Sequence, residues 1–509
     1  MSAAEHSAAA GVPLHRGMIT LTVMVASILQ ALDNTIANVA LPRMQGSLSA
    51  TQDQMTWVLT SYIVAAAIMT PLTGWLADRF GRKPLFLASI IGFTCASALC
   101  GMAQSLDQIV LFRVLQGVCG AALIPMSQAV LFDAYPPTQH GRAMAIWGVG
   151  VVLGPMLGPM LGGWLTDDYS WRWVFYINVP FGILAVLGVM AYFPDTTHAR
   201  KSFDFFGFAL LSIAVGTLQL LLDRGPIKDW FNAGEIKLEA AVAALAFYLF
   251  VAHTLTAKQP FIRLALYKDR NFLTGNILIF VVGIVLFATL ALLPPLLQGL
   301  MGYSVFQAGL TMVPRGAGTL IAMLLVGRMV GRIDVRLIIG AGLVLTAFSL
   351  WQMTHLSMQF DMAAIVWPGA IQGLGIGIVY VPMAALTFAT LGPGLRNEGT
   401  ALFNLIRNVG SSIGISTVQG LLVRNTQVVH SSLAQHITPL TLAHHAPGVY
   451  AGSQAVAALN RSVTAQASMI AYLDDFQLML ILTLLALPLL LLVRNSRAPD
   501  AQVKHAALE

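Results

Sequence analysis

The sequence predicts an all-α, polytopic membrane protein on three grounds. Hydrophobic residues make up 57% of the chain and charged ones only 10%, whereas a soluble globular domain carries about 25% charged residues. Apolar runs of about 20 residues, enough to cross ~30 Å of hydrocarbon, recur along nearly the whole length. Lys and Arg also gather in alternate connections. With the N-terminus in the cytoplasm, about 18 of the 28 fall inside and about 7 outside, the bias that membrane topology imposes.

Fourteen such runs lie between charged or Gly/Pro-marked breaks, near residues 17–41, 55–77, 84–103, 108–132, 142–165, 173–193, 205–222, 237–257, 272–296, 305–327, 336–355, 362–390, 399–422 and 471–493. Both termini then lie inside, as tails at 1–16 and 494–509. Six spans fill 17–193, two inserted spans lie in 194–257, and six fill 258–493, which includes a long outer connection at 423–470. Val456, Leu459, Val463 and Ile470 share one helical face of that connection. It is an ordinary loop, a helix lying on the membrane, or an outward extension of the last span. Gly74 in "GWLADRFGRK" and Gly327 in "GRMVGRIDVR" end corresponding spans, and each precedes a Gly-rich helix (Gly154, Gly410) by about 80 residues. Two repeated halves with a site between them near the midplane are an architecture of alternating-access transporters.

Several function classes are excluded. No G-x-x-x-x-G-K-[ST] loop is present to cradle phosphate, and no H-E-x-x-H helix to bind zinc. Cys95, Cys100 and Cys119 fall inside predicted spans with no metal-ligand spacing. The net charge of +6 resides in short loops rather than on a nucleic-acid-binding face. The chain is therefore expected to be no enzyme, to hold no metal or cofactor, and to draw any uphill work from the proton motive force.

Asp33 is the first candidate site residue. From Gly17 to Leu32 is only ~24 Å of helix, too short to cross, so the first span continues through "DNTIANVAL" and Asp33 lies at membrane depth. Ser27, Gln30, Asn34 and Asn38 recur around it at three- and four-residue spacing, which predicts one polar stripe facing a wet cavity. A carboxylate inside a membrane is costly and marks function by default; here it is either a proton carrier or a structural carboxylate locked in an ion pair. Arg113 on the fourth span lies at a compatible depth to be its partner. Arg315 and Arg407, on spans ten and thirteen, would make a cavity attractive to anionic or zwitterionic compounds, although Arg407 can instead snorkel to the inner surface.

Two gating elements are expected. In "GWLADRFGRKP", Gly74 and Gly81 allow close approach and a sharp turn. Asp78 suits the N-terminus of a facing helix, and with Arg79 and Arg82 it would latch the cytoplasmic side. In "GVGVVLGPMLGPMLGGWL", Gly150, Gly154, Gly158 and Gly162 form a flat face, placed by expectation at the interface of the halves, with Pro155 and Pro159 kinking the helix.

Together these stretches resemble the major facilitator superfamily, in its fourteen-helix drug:proton antiporter branch. "LDNTIANVALP" is similar to that branch's helix-1 motif, with Asp33 at the acidic position. "GWLADRFGRK" is similar to the loop 2–3 signature. "FRVLQGVCGA" (Arg113, Gln116, Gly117, Gly120) resembles the helix-4 motif whose arginine is implicated in proton transfer. "LGPMLGPMLGG" (Gly154, Pro155, Gly158, Gly162, Gly163) resembles the antiporter helix-5 motif, although Pro159 stands where glycine is usual. "DRGPIKDWFNAGEI", "SWRWVFYINVPFG" and the long outer connection resemble the EmrB-type exporters of the branch.

The resemblance implies a major facilitator fold of two six-helix halves plus two inserted central helices. It implies proton-coupled efflux of amphipathic or hydrophobic toxic compounds across a bacterial inner membrane. Asp33 and Arg113 would couple protons, and Gln30, Asn34, Asn38, Gln116, Arg315 and Arg407 would line the substrate cavity. The implied partners are drugs, protons, membrane lipids, a periplasmic adaptor (membrane fusion protein) and an outer-membrane channel. No acidic residue is found deep in spans nine to thirteen, leaving Asp33 as the expected lone deep proton carrier. The alternatives are a dedicated exporter of one lipid-like metabolite or siderophore, and a non-transporting scaffold or sensor.

Overall fold

In the computed structural model, residues 15–50, 52–136, 139–194, 203–329, 333–392, 395–436 and 453–493 are described; both expected tails and the middle of the outer connection lie outside them. The first half holds α1 (Arg16–Leu48), α2 (Gln52–Met69), α3 (Leu72–Phe80), α4 (Arg82–Met102), α5 (Leu106–Gly120), α6 (Leu123–Ala134), α7 (His140–Asp168), α8 (Trp173–Tyr176) and α9 (Asn178–Tyr192). The inserted pair is α10 (Phe205–Arg224) and α11 (Gly234–Thr256). The second half holds α12 (Ala265–Lys268), α13 (Arg270–Pro295), α14 (Val305–Met329), α15 (Val335–Met353), α16 (Ala363–Ala389), α17 (Arg396–Gln435) and α18 (Ser453–Ala486).

Local chemistry sets several of these ends. The Ser105 hydroxyl accepts from Gln108 N at 3.3 Å, Asp204 from Gly207 N at 2.9 Å and Asp269 from Phe272 N at 2.9 Å, each supplying an acceptor to an orphan N–H at a helix start. Pro71 cannot donate to the ladder, and there α2 and α3 bend by 56°. Gly81 sits at φ 88 between α3 and α4, a conformation that disfavours any side chain.

Among the described residues, twelve helices are long and apolar enough to cross a membrane, and thirteen if the bent α2–α3 pair is one span. The remaining expected span corresponds to α17, whose 40 residues are more polar than the rest. α17 continues outward to Gln435 and α18 starts at Ser453. Their outer parts meet where His430 Nε2 lies 3.0 Å from Asn460 Oδ1. Of the alternatives for 453–470, the outward extension of the last span is the one observed; Leu459 and Val463 are half-buried there, whereas Val456 and Ile470 are exposed.

The halves repeat one packing scheme. In the first, α7 lies on α1, α5 on α2 and α4, and α9 on α1 and α4; in the second, α17 lies on α13, α16 on α14 and α15, and α18 on α13 and α15. Glycines make the first contact of each set possible. A Cβ on Gly154 would come within 2.5 Å of Ala31 Cβ on α1, and one on Gly410 within 2.5 Å of Phe280 O on α13. The glycine face of α7 therefore packs inside its own half, which corrects the expectation that it forms the interface of the halves: Gly154, Gly158 and Gly162 meet Ala31, Thr35 and Ile36. α7 stays one continuous helix through Pro155 and Pro159.

Candidate functional site

Asp33 is fully buried, and so is Arg113 (0% and 1% exposed). The helical position of Asp33 on α1 turns it toward α5 and α9. Its Oδ2 accepts from Arg113 Nη1 at 2.6 Å, and its Oδ1 from Gln116 Nε2 at 2.8 Å and Asn178 Nδ2 at 3.0 Å. Arg113 also donates through Nη1 to Gln116 Oε1 and through Nε to Val58 O, both at 2.9 Å. Its guanidinium lies 4.2 Å from the centroid of the Tyr62 ring, where the negative ring face attracts a cation. Asn178 is held in turn, donating to Ser97 Oγ at 3.0 Å. A buried ion pair is tolerable only when its remaining hydrogen-bonding capacity is met in this way.

The expected single polar stripe divides in two. Asn34 and Asn38 are exposed, while Ser27, Gln30 and Asp33 are buried within the first half. Successive residues differ by about 100° around a helix, so Asp33 and Asn34 cannot share a direction. Gln30 and Gln116 are therefore not exposed cavity-lining residues: Gln30 Oε1 accepts from Ile124 N at 3.2 Å, and Gln116 belongs to the Asp33 network.

A second network joins the halves at the end where α3 and α17 meet. A Cβ on Gly74 would lie 3.0 Å from Glu398 Cα, so only glycine allows α3 to reach the start of α17. Asp78 Oδ1 accepts from Asn397 Nδ2 at 2.7 Å, within the first turn of α17, where negative charge is stabilised. Arg82 pairs with Asp133, which also faces Arg396 at 3.3 Å. Deeper in, Asn404 Nδ2 donates to Gln128 Oε1 at 2.6 Å. Arg79 is exposed and takes no part in these contacts; the three-residue latch expected from the sequence reduces to Asp78 and Arg82. The pseudo-equivalent contact is present too, a Cβ on Gly327 lying 2.9 Å from Ala145 Cβ on α7. Arg263, in the link from the inserted pair, donates through Nε to Glu398 Oε2 at 2.6 Å. Burial pushes the nearby Tyr267 hydroxyl above its ordinary value, with Glu398 adding to the shift.

The second half contains a fainter copy of the buried core. Thr289 follows Asp33, and Gln372 follows Gln116, by the same 256 residues. Both are fully buried, and Gln372 Nε2 donates to Thr289 Oγ1 at 3.4 Å. The cations here have no carboxylate partner among the described residues. Arg315 is 5% exposed, touches Leu286 O at 3.4 Å through Nη2, and leaves Nη1 without a partner. Arg407 is also buried, facing Tyr380 Oη at 3.3 Å and Asn408 Oδ1 at 3.2 Å, so snorkelling does not describe it. Asp475 on α18, 1% exposed, is a second buried carboxylate, near the outer end of the last expected span, that the sequence reading did not single out.

Sequence reasoning missed Asn178, Tyr62, Ser97 and Asp475. An Asn or Asp interrupting an apolar run was the available signal for Asn178 and Asp475. Tyr62 and Ser97 gave none, because either residue is unremarkable in a membrane helix.

Two halves with repeated packing, a buried charge pair in one and a polar closure between them, define a membrane transporter. The Major Facilitator Superfamily model matches residues 23–415, and the chain belongs to that superfamily; it is a transporter and not an enzyme. It is 36% identical over 94% of its length to the fatty acid resistance protein FarB of Neisseria gonorrhoeae, covering 96% of that protein. It is likewise 36% identical to the multidrug export protein EmrB of Escherichia coli K12, over 83% of each chain. Among solved structures, the human organic anion transporter MFSD10 (TETRAN) superposes with a TM-score of 0.60 at 15% identity, over 93% of this chain and all of that one. The proton:xylose symporter XylE gives 0.57 at 13% identity, over 92% and 94%. At those identities the likeness is one of fold.

Proposed function

We propose that the chain is a proton-coupled exporter of amphipathic, largely apolar toxic compounds. The observation that carries it is the buried Asp33–Arg113 pair with its polar cage, since a carboxylate so expensive to bury marks function by default. A proton taken up by Asp33 cancels the charge that Arg113 compensates, leaving Arg113 to Val58 O and Gln116 Oε1. Breaking the pair in one conformation and remaking it in the other couples proton flow to the movement of the halves. The inter-half contacts at Gly74 and Asp78, with Arg82 and Arg396 sharing Asp133 and Gly81 turning the chain between α3 and α4, would close the cytoplasmic side. Asn34, Asn38, Arg315 and Arg407 would line the substrate path.

We place the chain in a bacterial inner membrane as fourteen spans with both termini cytoplasmic, α17 being the most polar. The outward α17–α18 extension would meet a periplasmic adaptor that leads to an outer-membrane channel. The relatives named for multidrug export support breadth of substrate. FarB, named for fatty acid resistance and matched over nearly the whole chain, favours a second reading: a dedicated exporter of one lipid-like acid.

Proteoliposomes with an imposed pH gradient test the proposal. Efflux of several unrelated drugs, each lost in Asp33→Asn, is expected. Efflux that still follows the imposed pH gradient in that variant would sink proton coupling through Asp33. Movement of long-chain carboxylates alone would favour the dedicated exporter.

A further inference from the structure

Asp475 lies ~25 Å along the helix from the inner end of the last span by helical rise. Its neighbours on α18, Tyr472, Phe476 and Met479, belong to one apolar cluster with Leu292 of α13, Leu350 of α15 and Val418 of α17. Asp475 is 1% exposed, and neither carboxyl oxygen has a hydrogen-bond partner among the described residues. Among the described residues it is the one carboxyl group with both oxygens buried and unpartnered: Asp33 has three donors, and Asp474, beside it in sequence, is exposed and faces Asn425 of α17 at 3.5 Å.

Among the described residues, no cation reaches Asp475 from the elements packed against α18. On α13 and α15 the charged groups are Arg270 and Arg336, bonded to Leu492 O and Val493 O at the inner end. On α17, Arg396 and Glu398 are held at the inter-half contact, Arg407 faces Tyr380, Arg424 is exposed and His430 is bonded to Asn460. On α18 itself are Tyr472, Asp474 and the exposed Arg461. An ionised carboxylate with neither counter-ion nor donor is not stable in such surroundings; the group neutralises instead.

We propose that Asp475 is a proton-binding site at the base of the outer α17–α18 pair, and that its proton sets how the two helices pair outside the bilayer. With the proton bound, the side chain is seated among Tyr472, Phe476 and Met479 and α18 lies as observed. When the proton leaves to the outer water, the carboxylate follows toward the surface, where Asp474 already sits, and α18 turns against α17. The paired state belongs to low pH and is lost as pH rises. This goes beyond the transport proposal and does not depend on Asp33.

The test uses the full chain in proteoliposomes. The C=O stretch of a neutral carboxyl group is followed by infrared spectroscopy while the pH is raised. A band that disappears with pH, present in Asp33→Asn and absent in Asp475→Asn, is expected. In parallel, His430→Cys with Asn460→Cys reports helix pairing by disulfide formation. Cross-linking relative to the same pair in Asp475→Asn should fall as pH rises, and Asp475→Glu should restore the fall. An infrared band indifferent to Asp475→Asn, or identical cross-linking profiles in the two backgrounds, overturns the proposal.

Discussion

The first half pairs its buried charges, whereas the second leaves its buried guanidiniums without a carboxylate among the described residues. Asp33 and Gln116 correspond in sequence to Thr289 and Gln372, and the amide-to-partner hydrogen bond is retained. At the position corresponding to Arg113 stands Gly369, where an added Cβ would lie 3.8 Å from Arg315 Cβ, and one turn on Gly373 brings α16 against the backbone of Arg315. The cation has in effect moved from the fourth helix of the half to the second, and it has left its carboxylate behind. The same packing scheme can therefore hold a buried ion pair or an uncompensated guanidinium, according to which of two neighbouring helices bears the arginine.

The sharpest way to break that contrast is to remove each arginine. Arg113→Ala strands Asp33 in the first half and should cost about 3–5 kcal/mol in detergent unfolding. A loss no greater than that of Arg315→Ala would refute the contrast. The shared packing is tested by Gly154→Leu and Gly410→Leu. Each forces side-chain atoms into a neighbouring helix, so both should lower stability by about 1–3 kcal/mol; a large effect at only one would show that the halves are not packed alike. Gln116→Leu leaves Asp33 short of a donor and should cost about 1–3 kcal/mol, whereas Gln372→Leu with Thr289→Val removes both partners and should be close to neutral. Arg315→Gln is likewise small in stability, expected within about 1 kcal/mol because no ion pair is broken. Its effect should appear in binding: discrimination between a long-chain carboxylate and the alcohol of equal length, measured by calorimetry, should disappear. Retained discrimination would place the anion elsewhere.

Much of this was legible in the sequence because lipid imposes simple rules. Helix positions followed from apolar length, and the depth of Asp33 from counting residues at 1.5 Å each. The compatibility of Arg113 followed from the same count. What depth cannot give is azimuth. Whether Asp33 looks into a cavity or into its own half depends on which helices pack beside α1, and that is fixed by non-local contacts such as Gly154 on Ala31. The same ignorance put the glycine face at the wrong interface and gave Arg79 a role that its exposure denies. Asp475 was overlooked for a different reason. A carboxylate beside a second carboxylate at the start of an apolar run looks like the polar end of a span, and only packing distinguishes the buried member from the exposed one.

The inserted helices have a consequence for the surrounding lipid. α10 packs on α2 of one half, where Thr60 bonds Asp223, and on α17 of the other, where the Ser416 hydroxyl donates to Leu222 O. The turn after α10 adds Trp230 against Gly420. This flank of the molecule is spanned, while the seam of α7 against α14 has no such cover among the described residues and meets through Gly148, Ala145 and Gly327. A molecule dissolved in the bilayer thus encounters a two-sided body with unlike sides: one is walled by the inserted helices, and the other shows a direct seam between the halves.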